Sequence, residues 1–271
     1  MLNDKRTDPF TSVKIIEYRN LLFGRFFFVM GLRMLGALAG WWIYILTSDP
    51  FAIGLIGLSE VIPALSLALY AGHVIDISEK RRLILWGVFL YLLAVIVLIF
   101  LSGSFTFDRL SNHWIAICIY AVIFCTGIIR SFMGPLFGVL VAYIVPRDLL
   151  QNATTWNQGT WLFASVSGHA LGGFLIAGTG ITGTLIFVCA LMVIACFFLL
   201  RLTQKPSVNI KGEKKILESV KEGLKFVFKT KELLGAISLD LFAVLFGGAV
   251  AMVPVYAKDI LKVGPEGFGL L

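Results

Sequence analysis

The chain has 271 residues, of which 58% are hydrophobic and 14% are charged, and its formal net charge is +7. Its mean hydropathy of +0.91 is far above what the core of a soluble domain requires, so the composition excludes a water-soluble globular protein. The apolar residues form long blocks, and the positive charges crowd into alternate gaps between them. This pattern is typical of a chain that crosses a membrane several times.

Seven segments are long and apolar enough to cross a bilayer, which takes about 20 mostly apolar residues. Each is predicted to be helical, because hydrocarbon offers no partner to an unpaired backbone amide and the segments lack the alternation of barrel strands. The expected fold class is therefore an all-α membrane protein. The predicted spans are residues 21–46, 51–71, 83–101, 114–144, 153–178, 181–202 and 233–257.

The distribution of Lys and Arg predicts the orientation of these spans. Of 23 such residues, 17 lie on the side of the N-terminus, three lie on the opposite side and three lie inside spans. Cytoplasmic loops carry the excess of positive charge, so we expect a cytoplasmic N-terminus and a multi-pass protein of the inner (plasma) membrane. Because these cations would face an anionic leaflet, no nucleic-acid partner is needed to explain the net charge.

Small residues and cysteines inside the spans are predicted to be packing residues. All four cysteines fall within predicted spans and are expected to be small buried hydrophobes, not disulfides or metal ligands. Gly36 and Gly40, like Gly168 and Gly172, are four residues apart and predict close helix contacts.

A polar stretch over residues 204–232 divides the chain. Its apolar residues repeat on one helical face and its lysines occupy the others, which predicts an amphipathic helix lying on the cytoplasmic membrane surface. A calmodulin-like target site is the alternative interpretation.

The residues after this linker predict the start of a second copy of one unit. Both Pro50 to Leu55 and Pro265 to Leu270 read Pro, three residues, Gly, Leu, and each follows an apolar span. We therefore expect a six-helix domain over 1–203, the linker over 204–232, and the start of a second domain over 233–271 that is truncated from a parent with 12 spans.

The gap between the second and third predicted spans contains a glycine, an acid four residues later and a basic cluster. It resembles the cytoplasmic signature of the major facilitator superfamily, although Ile77 stands where that signature has a basic residue and Glu79 where it has a glycine. The matching residues are Gly72, Asp76, Lys80, Arg81 and Ile84, and Arg82 extends the cluster. The resemblance implies a cytoplasmic gate in which Gly72 allows close helix approach and Asp76 pairs with the cluster or with a facing helix.

Further segments resemble the drug-efflux branch related to the bacterial enterobactin exporter. The likeness runs from about residue 15 to the end of the chain, with one departure at Gly168-His169, where Gly-Pro is common. The segments are 58–64, 130–135, 145–153, 239–249 and 254–255. The resemblance implies a proton antiporter that exports small amphipathic or siderophore-like molecules.

Ionisable groups inside spans are the candidate functional residues, because each costs at least about 2.5 kcal/mol to insert. Glu60 and Arg130 are predicted to form one proton relay, with a static pair that fixes helix packing as the alternative. Arg33 is a further relay candidate, Asp240 a candidate gate residue, and His169 is more simply explained as a hydrogen-bonded packing residue.

Other function classes find less support in the sequence. A membrane-embedded enzyme would need clustered catalytic or metal ligands, yet His73, His113 and His169 are scattered. We therefore expect no enzyme activity, no cofactor and no metal. The expected partners are the bilayer, a small-molecule substrate, a proton and the missing C-terminal half. An inactive or partner-dependent half-transporter remains the second alternative, and residues 1–271 alone are not expected to transport.

Overall fold

The computed structural model describes residues 8–103, 110–204, 225–246 and 253–270, and the regular elements within these ranges are helical. The long helices are α1 Ile16–Thr47, α2 Pro50–Ile77, α3 Lys80–Leu101, α4 Asn112–Ile144 and α5 Leu150–Leu200. After the linker come α6 Lys231–Phe246, the short α7 Val253–Val255, a π-helical turn at Tyr256–Ile260, and α8 Pro265–Leu270. Helices α1 to α5 are each long and apolar enough to cross a membrane.

Helix α5 is two membrane crossings joined at Gly180. At 51 residues a continuous helix would be about 77 Å long, more than twice a hydrocarbon core of about 30 Å. The backbone leaves helical geometry at Gly180, where φ is 70° and ψ is −172°. We name the two arms α5a (150–179) and α5b (181–200). The break agrees with the separate spans predicted at 153–178 and 181–202.

The contacts of the two arms with α1 show that the chain reverses at this glycine. Along α5a the contacts run parallel to α1, since Tyr18 bonds to Ala153 and Met30 lies against Gly168. Along α5b they run antiparallel, since Leu199 lies against Gly24 and Thr203 bonds to Glu17. Helix α1 is therefore held between two antiparallel arms of α5.

Replacement of Gly180 by alanine is expected to lower the free energy of unfolding by about 1–3 kcal/mol, because its backbone region is essentially restricted to glycine. Gly178→Ala is the matched control, since an added methyl group there would contact no described atom within 4 Å. The measurement is the thermal unfolding midpoint of the purified protein in detergent. An equal midpoint for the two variants would contradict a strained reversal at residue 180.

Close packing around α1 depends on particular small residues. A Cβ at Gly168 would lie 2.7 Å from the carbonyl oxygen of Met30, and one at Gly172 would lie 3.5 Å from the Cα of Met34. The prediction of close contact at these two glycines is confirmed. Gly36 differs from this prediction, since it is exposed and no described atom lies within 4 Å of such a position.

The six crossings share two common ends. At one end Arg81 donates to the carbonyl oxygen of Leu200 at 2.8 Å, and the starts of α1, α3 and α5a meet the ends of α2, α4 and α5b. We call this the basic end, because it carries the predicted cytoplasmic cations. At the other end Tyr120 donates to the carbonyl oxygen of Ala52 at 2.9 Å.

Three expectations need correction. Helix α2 continues to Ile77, so Gly72 and Asp76 lie in its last turns and not in a loop. The close helix approach expected at Gly72 is not seen among the described residues, since a Cβ added there would meet no described atom within 4 Å. The cysteines are less buried than expected, and Cys125 is exposed, since a membrane helix can turn apolar side chains outward to lipid.

The segments that follow the linker are described in part. The predicted amphipathic helix falls largely on residues 205–224, and the predicted seventh span includes residues 247–252; both stretches lie outside the described residues. Two of the described segments after the linker, the π-helical turn and α8, contact α1 and α5a respectively. Tyr44 of α1 hydrogen-bonds to Asp259, and Gly269 of α8 lies against Gly173 of α5a.

Candidate functional site

Glu60 of α2 and Arg130 of α4 form an ion pair within the helical bundle. The side chains are 28% and 38% exposed respectively, so the pair is neither sealed in a dry core nor free on the surface. Both residues lie well inside helices that are long enough to span a bilayer. The geometry brings together the two residues that the sequence analysis grouped, while their roles stay predictions.

Gly127 allows the close approach of α2 and α4 that creates this pair. A Cβ at this position would lie 2.5 Å from the carbonyl oxygen of Glu60 and 2.7 Å from Cγ of Pro63. Because the first of these atoms belongs to the backbone, it cannot turn aside as a side chain could. Gly127 precedes Arg130 by three residues, which places the two on the same side of α4. The glycine therefore positions the guanidinium against the carboxylate.

Arg33 of α1 adds a second guanidinium to the site. It interacts electrostatically with both Glu60 and Arg130, and its guanidinium carbon lies 5.2 Å from the ring centroid of Trp161 on α5a. Such stacking stabilises a cation over an aromatic face. Its Nε is buried and has no hydrogen-bond partner in the described part of the chain. We call Arg33, Glu60 and Arg130 the charge cluster; it contains two cations and one anion.

Tyr91 of α3 completes the surroundings of the charge cluster. It is 3% exposed and interacts electrostatically with all three members of the cluster. The sequence analysis missed Tyr91 and Trp161, because a single aromatic residue in an apolar span carries no periodic signal. Only their placement by neighbouring helices brings them to the cluster.

The other two candidates lie apart from these contacts. His169 of α5a is exposed, and its Nδ1 lies 2.8 Å from the carbonyl oxygen of Ser165 in the same helix. It is hydrogen-bonded within its own helix, and its role stays a prediction. Asp240 lies in α6, and its side chain is outside the described residues.

The signature segment at the basic end is organised by main-chain contacts. Lys80 is 1% exposed, and its Nζ donates to the carbonyl oxygens of Asp76 at 2.8 Å and Ser78 at 3.0 Å. Glu79 caps α3 by accepting from the backbone amides of Arg81 and Arg82. The Asp76 side chain is exposed and forms no ion pair with another described residue. The described residues therefore show no ion pair between Asp76 and the basic cluster, and the alternative, a bond to a facing helix, stays a prediction.

The chemistry available to the charge cluster is proton binding and anion binding. A carboxylate can bind one proton and accept hydrogen bonds from guanidinium groups, and two guanidiniums beside one carboxylate leave one positive charge unbalanced. Within the described residues, no group of three His, Cys, Asp or Glu side chains could hold a metal ion.

The chain matches one protein family by sequence and is similar in fold to a solved transporter structure. The sequence profile of the Major Facilitator Superfamily matches residues 21–271. A solved structure, described as the in meso crystal structure of the POT family transporter PepTSo, is similar with a TM-score of 0.55 and 15% identity over 94% of this chain. The match covers 50% of that protein, so the chain spans half its length. No curated protein sequence matches.

Proposed function

Because the chain belongs to the major facilitator superfamily, a family of membrane transporters, we propose that it acts in a secondary active transporter that exports small amphipathic or siderophore-like molecules in exchange for protons. The observation that carries this proposal is the charge cluster. It places a carboxylate, Glu60, against two guanidiniums between membrane-spanning helices. A single acid in such a position is a candidate proton carrier.

In the proposed mechanism, proton binding is coupled to helix movement through the ionised and protonated states of Glu60. In the ionised state the carboxylate pairs with Arg130, and the pair holds α2 against α4. In the protonated state the attraction is lost, and two unbalanced guanidiniums remain. Protonation therefore favours a different arrangement of these helices, and an arrangement that separates the groups favours protonation.

The proposed mechanism is alternating access between this six-crossing domain and a second half. Helix α6, which carries Asp240 as a candidate gate residue, would begin that half. The basic end is proposed to face the cytoplasm of a bacterial cell, where Asp76 would contact the second half. The exposed Asp76 side chain supports this, since it is unpaired with any described residue.

The test is substrate movement in everted membrane vesicles from cells that express the complete open reading frame. The probes are a fluorescent amphipathic dye and a catecholate siderophore. We expect uptake into the vesicles when their interior is acidified, and collapse of uptake on addition of a protonophore. Uptake that is insensitive to the protonophore would reject proton coupling.

The Glu60→Gln variant distinguishes a proton relay from a static ion pair that only fixes helix packing. The amide cannot release a proton, so we expect proton-driven uptake to fall by at least about a hundredfold, the lower end of the range for a lost proton-transfer group. Glu60→Asp is the matched control, since it keeps the acid, and should retain part of the uptake. Full uptake by Glu60→Gln would show that the pair only fixes packing.

A further inference from the structure

A groove of about 460 Å³ lies between α3 and α5b at the basic end of the bundle. Its polar mouth is formed by Arg81 and Arg82, at the start of α3, together with Glu79. The charge cluster, by contrast, is formed by residues of α1, α2 and α4. The groove is therefore separate from the charge cluster, and its mouth shares Arg81 and Arg82 with the signature segment.

The walls of the groove below this mouth are apolar. On α3 they are formed by Leu85, Trp86 and Phe89, and on α5b by Cys196 and Leu200. Trp86 is 50% exposed and Leu200 is also 50% exposed. Both helices cross the membrane, so an apolar wall that is half-exposed along them faces lipid or another protein segment.

The arginines at the mouth have donor groups without anionic partners. Arg81 donates through Nη2 to the carbonyl oxygen of Leu200, while its Nε is buried and has no hydrogen-bond partner in the described part of the chain. The oxygens of Glu79 already accept from the backbone amides of Arg81 and Arg82, at 3.0 and 2.8 Å. Two guanidiniums against one engaged carboxylate leave a net positive mouth.

We propose that this groove binds an anionic phospholipid, with its phosphate at Arg81 and Arg82 and an acyl chain along Trp86 and Phe89. Guanidinium groups match the geometry of phosphate oxygens, and basic pockets between membrane helices on the cytoplasmic side bind anionic headgroups. A tryptophan beside the headgroup level suits the membrane interface. The charged mouth thus corresponds to the position of a lipid headgroup, and the apolar wall corresponds to the position of its acyl chain.

The position of the downstream chain favours lipid over protein as the occupant. The described start of the second domain packs elsewhere, with Gly269 of α8 against Gly173 of α5a and Asp259 against Tyr44 of α1. None of the described residues from 225 onward lines the groove between α3 and α5b. A lipid from the leaflet at the basic end needs no further segment of protein to reach it.

The test uses the full chain in phosphatidylcholine nanodiscs that contain a minor fraction of acyl-brominated lipid, either phosphatidylglycerol or phosphatidylcholine. Bromine quenches a nearby indole, and the Trp86→Phe variant identifies the contribution of Trp86 to the fluorescence. We expect brominated phosphatidylglycerol to quench Trp86 more strongly than brominated phosphatidylcholine at equal fraction. Equal quenching by the two lipids in the unmodified protein would overturn the proposal.

The Arg82→Gln variant tests the role of charge and leaves the bond from Arg81 to Leu200 in place. We expect its preference for phosphatidylglycerol to fall about fivefold, the effect of one arginine near an anionic surface. Arg82→Lys should keep most of the preference. Arg147→Gln is the matched control, since Arg147 is exposed at the same end but does not line the groove. An unchanged preference in Arg82→Gln, or an equal loss in Arg147→Gln, would also overturn the proposal.

Discussion

Replacement of Gly127 by alanine is expected to destabilise the protein by about 1–3 kcal/mol, the usual effect of overpacking, and to reduce transport. The added methyl group would lie 2.5 Å from a backbone oxygen of α2, so α2 and α4 must move apart. That movement separates Glu60 from Arg130, whose ion pair joins the two helices. The single added methyl group should therefore disturb both the packing of α2 against α4 and the charge cluster.

Gly138→Ala is the matched control in the same helix. Gly138 is exposed, and a methyl group there would meet no described atom within 4 Å, so its higher helix propensity should leave the protein equally or slightly more stable. Thermal unfolding in detergent and dye uptake in vesicles measure the two effects. A Gly127→Ala protein as stable and active as Gly138→Ala would show that α2 and α4 can separate without consequence.

Reversing the charge of Glu60 is expected to destabilise the protein more than reversing the charge of Arg130. Glu60→Arg alone would bring three guanidiniums together, since Arg33 interacts with both positions. Arg130→Glu alone would leave Arg33 to balance one of two carboxylates. We expect Glu60→Arg to be the more damaging change, by at least about 2.5 kcal/mol, the lower insertion cost of one uncompensated charge.

The double variant Glu60→Arg/Arg130→Glu should regain much of the lost stability, because it restores one carboxylate between two guanidiniums. The readouts are the fraction of protein that stays monodisperse after detergent extraction and its thermal unfolding midpoint. Equal damage by the two single variants would show that Arg33 does not act on the pair. Failure of the double variant to improve on Glu60→Arg would show that packing at these positions outweighs charge.

The sequence indicated which charged residues are candidates for function, but it indicated only part of their arrangement. The cost of burying charge identified Glu60, Arg130 and Arg33 as candidates, because such residues are rare in apolar spans. It could not identify Gly127, since a glycine in a membrane helix is common and its importance depends on what lies opposite. The same reason hid Trp161 and Tyr91, which reach the charge cluster from α5a and α3.

The signature segment shows the same division. Its residue types predicted a gate at the basic end, yet the spacing did not reveal that α2 extends to Ile77 or that Lys80 bonds to carbonyl oxygens while Asp76 stays exposed. The boundary between α2 and α3 depends on capping, since Glu79 accepts hydrogen bonds from the first backbone amides of α3. Capping in turn depends on local backbone geometry. Short-range patterns gave the residues but not their partners.

The sequence by itself determined the all-helical class and the approximate positions of the long apolar helices, because hydrocarbon requires long apolar segments with internally paired backbones. Only the tertiary structure decided that α1 lies between the two arms of α5 and that Gly127 lets α2 approach α4 closely beside the pair of Glu60 and Arg130. Hydropathy reports how a segment interacts with the solvent around it. Contacts between helices depend on shape and facing direction, which arise only when distant segments pack together.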